Sequence, residues 1–107
     1  MSTLIVLFNL KEGVSKADYE KFAKEMDVPT VSALKSIDDF KVFRTTGMLG
    51  APEIKSPYQY CEIIEVNDME GFFKDISTNN MQKIATMFQG FADNPLFIVS
   101  EQFAWWL

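Results

Sequence analysis

The chain has 107 residues, 48% of them hydrophobic and 14% aromatic, which suits one globular domain with a packed core and excludes a disordered chain. Its 15 acidic and 10 basic residues give a net charge of −5, which argues against nucleic acid or an anionic membrane surface as a partner. The single cysteine cannot form an intramolecular disulfide, and the apolar start has no basic leader, so we expect a cytoplasmic protein.

The first half of the chain predicts a strand, a helix and a second strand. Residues 3–9 are a short apolar run of β-compatible side chains. Ser15 is the predicted N-cap of a helix, because the residues after it place apolar side chains on one helical face: Tyr19, Phe22, Ala23 and Met26. Pro29 predicts that this helix ends near Asp27. The second strand is predicted over residues 40–46.

The second half predicts a loop, a strand, a broken helix and a last strand. Residues 47–57 contain two Gly and two Pro, which predict a loop long enough to act as a flap. The next strand is predicted over residues 58–66, where aromatic and β-branched residues are frequent. Asp68 is the predicted cap of a helix that breaks at residues 78–80, and the last strand is predicted over residues 96–103.

The resulting order, β-α-β-β-α-β, predicts a ferredoxin-like α+β fold with a four-stranded antiparallel sheet and its helices on one face. Residues 1–107 should form a single domain. The strands carry apolar side chains on both faces, for example Ile5 on one face of the first strand and Val6 on the other. Because an uncovered apolar face would be a large exposed patch, we predict a homodimer in which two sheets face each other. The apolar tail at 105–107 is interpreted as a dimer arm, with an active-site lid as the alternative.

The strand at 58–66 leads to a candidate site. In the register that turns Ile64 and Val66 toward the helices, Tyr60 and Glu62 point the same way. We expect the starts of the first and third strands, the ends of the second and fourth, and the helix break at one end of the sheet. Polar side chains should then converge there: Thr3, Arg44, Tyr60, Glu62, Asn80 and Ser100. The 47–57 flap would roof a pocket with apolar walls formed by Phe22, Phe40, Phe72, Ile84 and Phe88.

Each polar candidate has a structural alternative. Glu62 is either a general base helped by burial or the partner of Arg44 in an ion pair between two strands. Tyr60 either donates a hydrogen bond to a ligand or is an ordinary amphipathic strand residue. Asn80 either orients a substrate or caps a helix. Cys61 falls on the opposite strand face and is expected to be a small buried hydrophobe.

The chain contains no histidine. This removes Ser-His-Asp and Cys-His nucleophile pairs, a proximal haem histidine and histidine acid–base chemistry. One cysteine without histidine is not a zinc site, and no phosphate loop or dinucleotide-binding glycine pattern is present. We therefore expect neither a metal nor a cofactor.

Several short strings carry a resemblance to a known family: residues 4–8 followed by 11–15, residues 65–68, the broken second helix and the aromatic C-terminus. With them the chain resembles dimeric α+β barrel proteins, and among these the RedY-like (HapK-like) proteins of prodiginine and related pyrrole or indole antibiotic pathways. The resemblance implies a dimer in secondary metabolism, where relatives cyclise or oxidise aromatic intermediates without metal or flavin. Similar polyketide cyclases use histidines where this chain has Thr3 and residues 79–81, so their mechanism is not carried over.

Three functions follow as hypotheses. The first is a cofactor-independent enzyme that cyclises or rearranges a pyrrole- or indole-derived intermediate, with Glu62 moving a proton. Tyr60, Arg44 and Asn80 would polarise or place the substrate. The second is a non-catalytic protein that binds a reactive hydrophobic intermediate and delivers it to another biosynthetic enzyme. The third is a monooxygenase that uses oxygen without a cofactor.

Overall fold

The computed structural model describes residues 1–105, which form one four-stranded antiparallel sheet with helices packed against it. In chain order the elements are β1 (Ser2–Leu10), α1 (Lys16–Phe22), a π-helical turn (Ala23–Asp27), α2 (Val28–Ser32), β2 (Ile37–Arg44), β3 (Tyr60–Val66), α3 (Met69–Ile76), α4 (Asn79–Phe91) and β4 (Ala92–Ser100). The strand order is β2-β3-β1-β4. The predicted ferredoxin-like α+β fold is therefore confirmed. None of the described helices is long and apolar enough to cross a membrane.

Helix α1 begins at its predicted cap but does not end where predicted. Ser15 Oγ accepts a hydrogen bond from the amide of the third residue after it, at 3.0 Å. Helical backbone then continues past Asp27, and the two α-helical segments are joined by a π turn. The hydrogen bond that closes this turn runs from the Val28 N–H to the Ala23 carbonyl, five residues back. Pro29 follows in the first turn of α2, where its missing N–H costs little.

The π turn changes which side chains face the core. One hydrogen-bonded turn of this kind holds one residue more than an α-helical turn, so the residues after it are rotated around the axis. Met26, predicted on the buried face, is 39% exposed. Asp27, the next residue, is only 5% exposed. The turn therefore brings a carboxyl group into the core.

The two faces of β3 differ as predicted. Alternate residues of this strand are buried on the helix side, namely Tyr60, Glu62, Ile64 and Val66. The other face of the sheet, which we call the open face, carries half-buried or exposed apolar side chains: Ile5, Leu7, Phe43, Cys61, Ile63, Leu96 and Ile98. The helix side therefore holds the core, and the open face is apolar without being buried within one chain.

Strand direction corrects the predicted convergence at one end of the sheet. β3 runs antiparallel to β1, so that Tyr60 at the start of β3 lies opposite Phe8, near the end of β1. Thr3, near the start of β1, pairs with Ser100 in β4. The starts of the first and third strands are therefore at opposite ends of the sheet, and the predicted polar residues are divided between these ends.

The helix break and the last strand also differ in detail. Thr78 caps α4, because its Oγ1 accepts a hydrogen bond from the Met81 N–H at 3.4 Å. Asp68 precedes α3 but makes no capping hydrogen bond. β4 begins at residue 92 instead of 96, since an edge strand accommodates Pro95 and the positive φ of 45° at Asn94.

Candidate active site

Two cavities lie between the sheet and the helices. The Arg44 cavity has a volume of about 510 Å³ and is bounded by α1, the π turn, β2 and β3, with Arg44 and Tyr60 in its wall. The carboxyl cavity has a volume of about 440 Å³ and extends from the π turn across the sheet to α3 and α4. Its wall contains two acidic side chains, Asp27 and Glu62. Phe40 lines both cavities.

Glu62 is a buried acid in a mostly apolar wall. It is 3% exposed, and its Oε2 accepts a hydrogen bond from the Tyr19 hydroxyl at 3.3 Å. Burial and the nearby charge of Asp27 raise the pKa of Glu62 to about 8, against the opposing effect of the Tyr19 hydrogen bond. The carboxyl group is therefore mostly protonated at neutral pH and can donate a proton to a molecule in the cavity.

The predicted ion pair between Arg44 and Glu62 does not form. In the β2–β3 register Arg44 lies opposite Tyr60, two positions away from the residue opposite Glu62. Its guanidinium reaches helix α1 instead and binds both carboxylate oxygens of Glu20, with an Nε to Oε2 distance of 2.8 Å. Glu62 therefore has no cationic partner among the described residues.

Tyr60 belongs to the same network as Arg44. The ring is 1% exposed, and the hydroxyl donates to Glu20 Oε2 at 2.7 Å. Burial, together with the hydrogen bond to Glu20, raises the pKa of Tyr60 to about 12. Hydrogen bonds from Arg44 and Tyr60 lower the pKa of Glu20 to about 2. These three side chains form a hydrogen-bonded charged wall, and none of them changes its protonation state near neutral pH.

Asp27 is the functional candidate that the sequence did not reveal. It is 5% exposed and lines the carboxyl cavity, and burial raises its pKa to about 6. In the described part of the chain its carboxyl group makes no hydrogen bond or salt bridge. The helical pattern did not reveal it, because a regular α-helix places Met26, and not Asp27, at the centre of the apolar face.

Most predicted apolar walls surround the carboxyl cavity. Its lining includes four of the five aromatic or aliphatic residues named from the sequence: Phe40, Phe72, Ile84 and Phe88. Phe22 lines neither cavity, because its ring stacks on Phe91 with a centroid separation of 5.2 Å. The 47–57 loop also contributes no residue to either lining, so it does not roof the site.

The remaining polar candidates lie away from both cavities. On the open face, Thr3 donates to Glu65 at 2.8 Å, and the Ser100 hydroxyl donates to the Thr3 carbonyl at 2.7 Å. Asn80 is exposed in the first turn of α4. Cys61 is on the open face as predicted but is half-buried instead of buried, and this partial burial raises the pKa of its thiol. These residues do not join Glu62.

Buried acids whose pKa values lie near neutral pH, as those of Asp27 and Glu62 do, are suited to proton transfer. Residues 1–105 contain no group of three or more acidic, cysteine or histidine side chains placed to hold a metal ion. The carboxyl cavity instead combines two buried acids with aromatic and aliphatic walls, which is the usual composition of a small-molecule site.

The fold and the cavity define a class: a ferredoxin-like α+β protein with an apolar cavity between sheet and helices that carries two carboxyl groups. The model of the family "REDY-like protein HapK" matches residues 2–103, and the chain therefore belongs to this family. No curated protein matches the chain.

Solved structures with the same fold include three that are informative. HapK from Hahella chejuensis is 22% identical with a TM-score of 0.75, over 100% of this chain and 98% of that one. SnoaB from Streptomyces nogalater, described as a cofactor-independent oxygenase, is 12% identical with a TM-score of 0.74, over 96% and 93%. A dimeric ferredoxin-like protein from Thermobifida fusca is 10% identical with a TM-score of 0.72, over 92% and 87%. At these identities the similarity shows the fold alone.

Proposed function

We propose that the chain is a cofactor-independent enzyme of pyrrole- or indole-type, prodiginine-like natural-product biosynthesis, which cyclises or rearranges an aromatic intermediate. Glu62 is the proton-transfer group. The observation that carries the proposal is a buried acid with a raised pKa and no cationic partner among the described residues, in the wall of an apolar cavity. Membership of the HapK family and the likeness to a cofactor-independent oxygenase support a biosynthetic role.

The dimensions and walls of the cavity support an aromatic substrate. Its volume of about 440 Å³ falls within the range of small-molecule sites. Phenylalanine rings line it on several sides, and such rings pack well against flat heteroaromatic rings: Phe40, Phe72, Phe88 and Phe97. In this proposal Arg44 and Tyr60 maintain the wall of the neighbouring cavity through Glu20 and do not transfer protons themselves.

The test is the turnover of bipyrrole and bisindole intermediates by the wild type and by Glu62→Gln. The substitution keeps the shape of the side chain and removes its titrating proton, so the rate should fall about 10²–10⁴-fold. Glu25→Gln is the matched control, because Glu25 is an exposed acid in the π turn. Circular dichroism should show that both variants fold, and an unchanged rate in Glu62→Gln would contradict the assigned role.

The same purified protein can be used to test two other functions. The apolar cavity also suits a carrier that binds a hydrophobic intermediate for another biosynthetic enzyme, in which case the protein binds bipyrrole or bisindole without converting it. The likeness to SnoaB favours a cofactorless monooxygenase as the other candidate. Oxygen consumption that depends on substrate would identify that activity.

We also propose that the open face pairs with the open face of a second copy. Phe43, Leu96 and Ile98 on this face are between 41% and 50% exposed, which leaves a contiguous apolar surface on one chain. The similar protein from Thermobifida fusca, described as dimeric, supports a second copy as the occupant. Trp105 is 62% exposed and suits the predicted dimer arm, whose remaining residues, 106–107, lie outside the described part of the chain.

A further inference from the structure

Asp27 occupies a position that acidic side chains rarely hold without a partner. Asp27 is only 5% exposed, yet its carboxyl group makes no salt bridge and no hydrogen bond with the described residues. No unpaired side-chain oxygen in the described chain is completely enclosed, so the Asp27 oxygens are not sealed from their surroundings, and the residue lines the carboxyl cavity. The carboxyl group is therefore available to a molecule in that cavity.

The backbone around Asp27 is what places it there. The π turn at Ala23–Asp27 rotates Asp27 toward the sheet and leaves Met26 outside. Single π turns within α-helices occur frequently at functional sites. The cavity that receives Asp27 is the one that contains Glu62, and the charge of Asp27 acts on Glu62. A helix segment and a strand thus bring two acids to one cavity.

Around Asp27 and Glu62 lie one further titratable side chain, that of Tyr19, and otherwise uncharged cavity residues. Tyr19 on α1 is the titratable side chain that contacts Glu62, and its pKa is raised by burial and by the charge of Glu62, so it stays protonated. The cavity residues from α3, α4 and β4 are all uncharged. Within the described chain, the two carboxyl groups are therefore the groups in this cavity that change protonation between acidic and weakly basic pH.

We propose that Asp27 is the second catalytic group of the carboxyl cavity, which accepts a proton from a bound planar nitrogen heterocycle while Glu62 donates one to it. This inference rests on the proposed function, because it concerns the same cavity and the same class of substrate. At neutral pH the pKa order leaves Asp27 mostly ionised and Glu62 mostly protonated, which is the arrangement that a base and an acid acting together require.

The proposed step moves a proton within the substrate and involves no oxidation. The Asp27 carboxylate takes a proton from an N–H or C–H bond of the ring system, and that bond's electron pair enters the π system. A different atom of the same molecule forms a bond to the proton of Glu62. The product is an isomer of the substrate, Asp27 becomes protonated and Glu62 ionised. Transfer of a proton from Asp27 to Glu62 through water restores the starting state.

The first experiment measures the pair without any substrate. Carbon-13 NMR of the side-chain carboxyl carbons follows Asp27 and Glu62 as the pH is changed, in the wild type and in Asp27→Asn. Removing the Asp27 charge should lower the Glu62 midpoint by more than about half a pH unit. Glu25→Gln, which changes an exposed acid of the same turn, should leave both midpoints in place. An unchanged Glu62 midpoint in Asp27→Asn would overturn the pairing.

The second experiment measures proton transfer to a defined probe. Bipyrrole is incubated with the protein in deuterium oxide, and the ring C–H signals are followed by proton NMR. Glu62 gives a deuteron to a ring carbon while Asp27 takes the N–H proton, and the reverse of this step removes the original hydrogen from that carbon and restores the aromatic ring. The wild type should accelerate this exchange, and Asp27→Asn and Glu62→Gln should each slow it about 10²-fold or more. Glu25→Gln should exchange at the wild-type rate.

The outcomes separate this inference from the proposed function. If Glu62→Gln loses exchange while Asp27→Asn keeps it, the role of Asp27 is overturned and that of Glu62 stands. If Asp27→Asn regains the wild-type rate at a pH matched to the new Glu62 midpoint, Asp27 only tunes Glu62, and the catalytic role is again overturned. The titrations of Asp27 and Glu62 could be coupled although the wild type exchanges no bipyrrole. That result would contradict the proposed substrate class and support the pairing of the two acids.

Discussion

Replacing Glu62 by Gln should remove a pH dependence of stability that Glu62 gives the wild-type protein. Burial and the charge of Asp27 raise the pKa of Glu62 from 4.5 to about 8. Between these two pH values the folded protein binds a proton that the unfolded chain has released. The free energy of unfolding therefore falls as the pH rises through this window, by about 1.4 kcal/mol per unit where one proton separates the two states.

The interval from pH 6 to pH 8 isolates this effect. The pKa of Asp27 is raised to about 6 and that of Glu20 is lowered to about 2, so both groups titrate mainly below the interval. Integration over the two pH units, with the folded pKa near 8, predicts a loss of about 2 kcal/mol from Glu62 in the wild type. Glu62→Gln should lose only the few tenths of a kcal/mol (~0.4) that remain from Asp27.

Urea denaturation at the two pH values, at one fixed protein concentration, measures the difference. The wild type should show a lower midpoint at pH 8 than at pH 6 with the same slope, whereas Glu62→Gln should show nearly the same midpoint at both. Glu25→Gln should behave like the wild type, because this acid is exposed. Equal losses in the wild type and Glu62→Gln would show that Glu62 is not a buried acid with a raised pKa.

Three further predictions concern the open face, a helix cap and a loop. Phe43→Asp places a charge on the open face and should therefore halve the molecular mass measured by light scattering. The control Phe73→Asp, at an exposed helix position, should leave the mass unchanged. A monomeric wild type at micromolar concentration would contradict the dimer. Ser15→Ala removes the α1 cap and should lower the free energy of unfolding by about 1 kcal/mol in urea. Gly47→Ala adds a Cβ that would lie 2.8 Å from the Pro52 carbonyl oxygen, at a φ of 145°. Gly47→Ala should lower the free energy of unfolding in urea by about 1–3 kcal/mol and leave the rate of bipyrrole exchange unchanged. Slower exchange in this variant would show that the 47–57 loop contacts the site.

The parts of the fold that depend on local patterns could be predicted. Alternation along β3 predicted which side of the strand Tyr60 and Glu62 occupy, because a strand places successive side chains on opposite faces. The Ser15 cap was predictable because the hydroxyl and the amide it binds are three residues apart. The element order was sufficient for the fold class, since few arrangements bury the apolar faces of these elements.

The contacts within the site depend on distances that local patterns do not contain. The pairing of Arg44 with Glu20 instead of Glu62 requires both the β2–β3 register and the position of α1 above the sheet. The burial of Asp27 depends on the π turn, whereas the helical periodicity used to interpret the sequence assumes a regular α-helix. The position of Pro29 also predicted that the helix ends near Asp27, whereas the helical backbone continues through the π turn into α2.

The π turn makes the position of the second acid a matter of chain length as well as of residue type. Because a π turn holds one residue more than an α-helical turn, deleting one residue between Ala23 and Asp27 would allow a regular α-helix in which Asp27 and α2 keep their orientation toward the cavity. The aspartate would then follow Tyr19 by seven residues instead of the present eight. A relative with this shorter helix would therefore hold the same acid at a different spacing, so the spacing from the tyrosine, read together with the helix length, is a more informative marker among homologues than an aspartate at one fixed position.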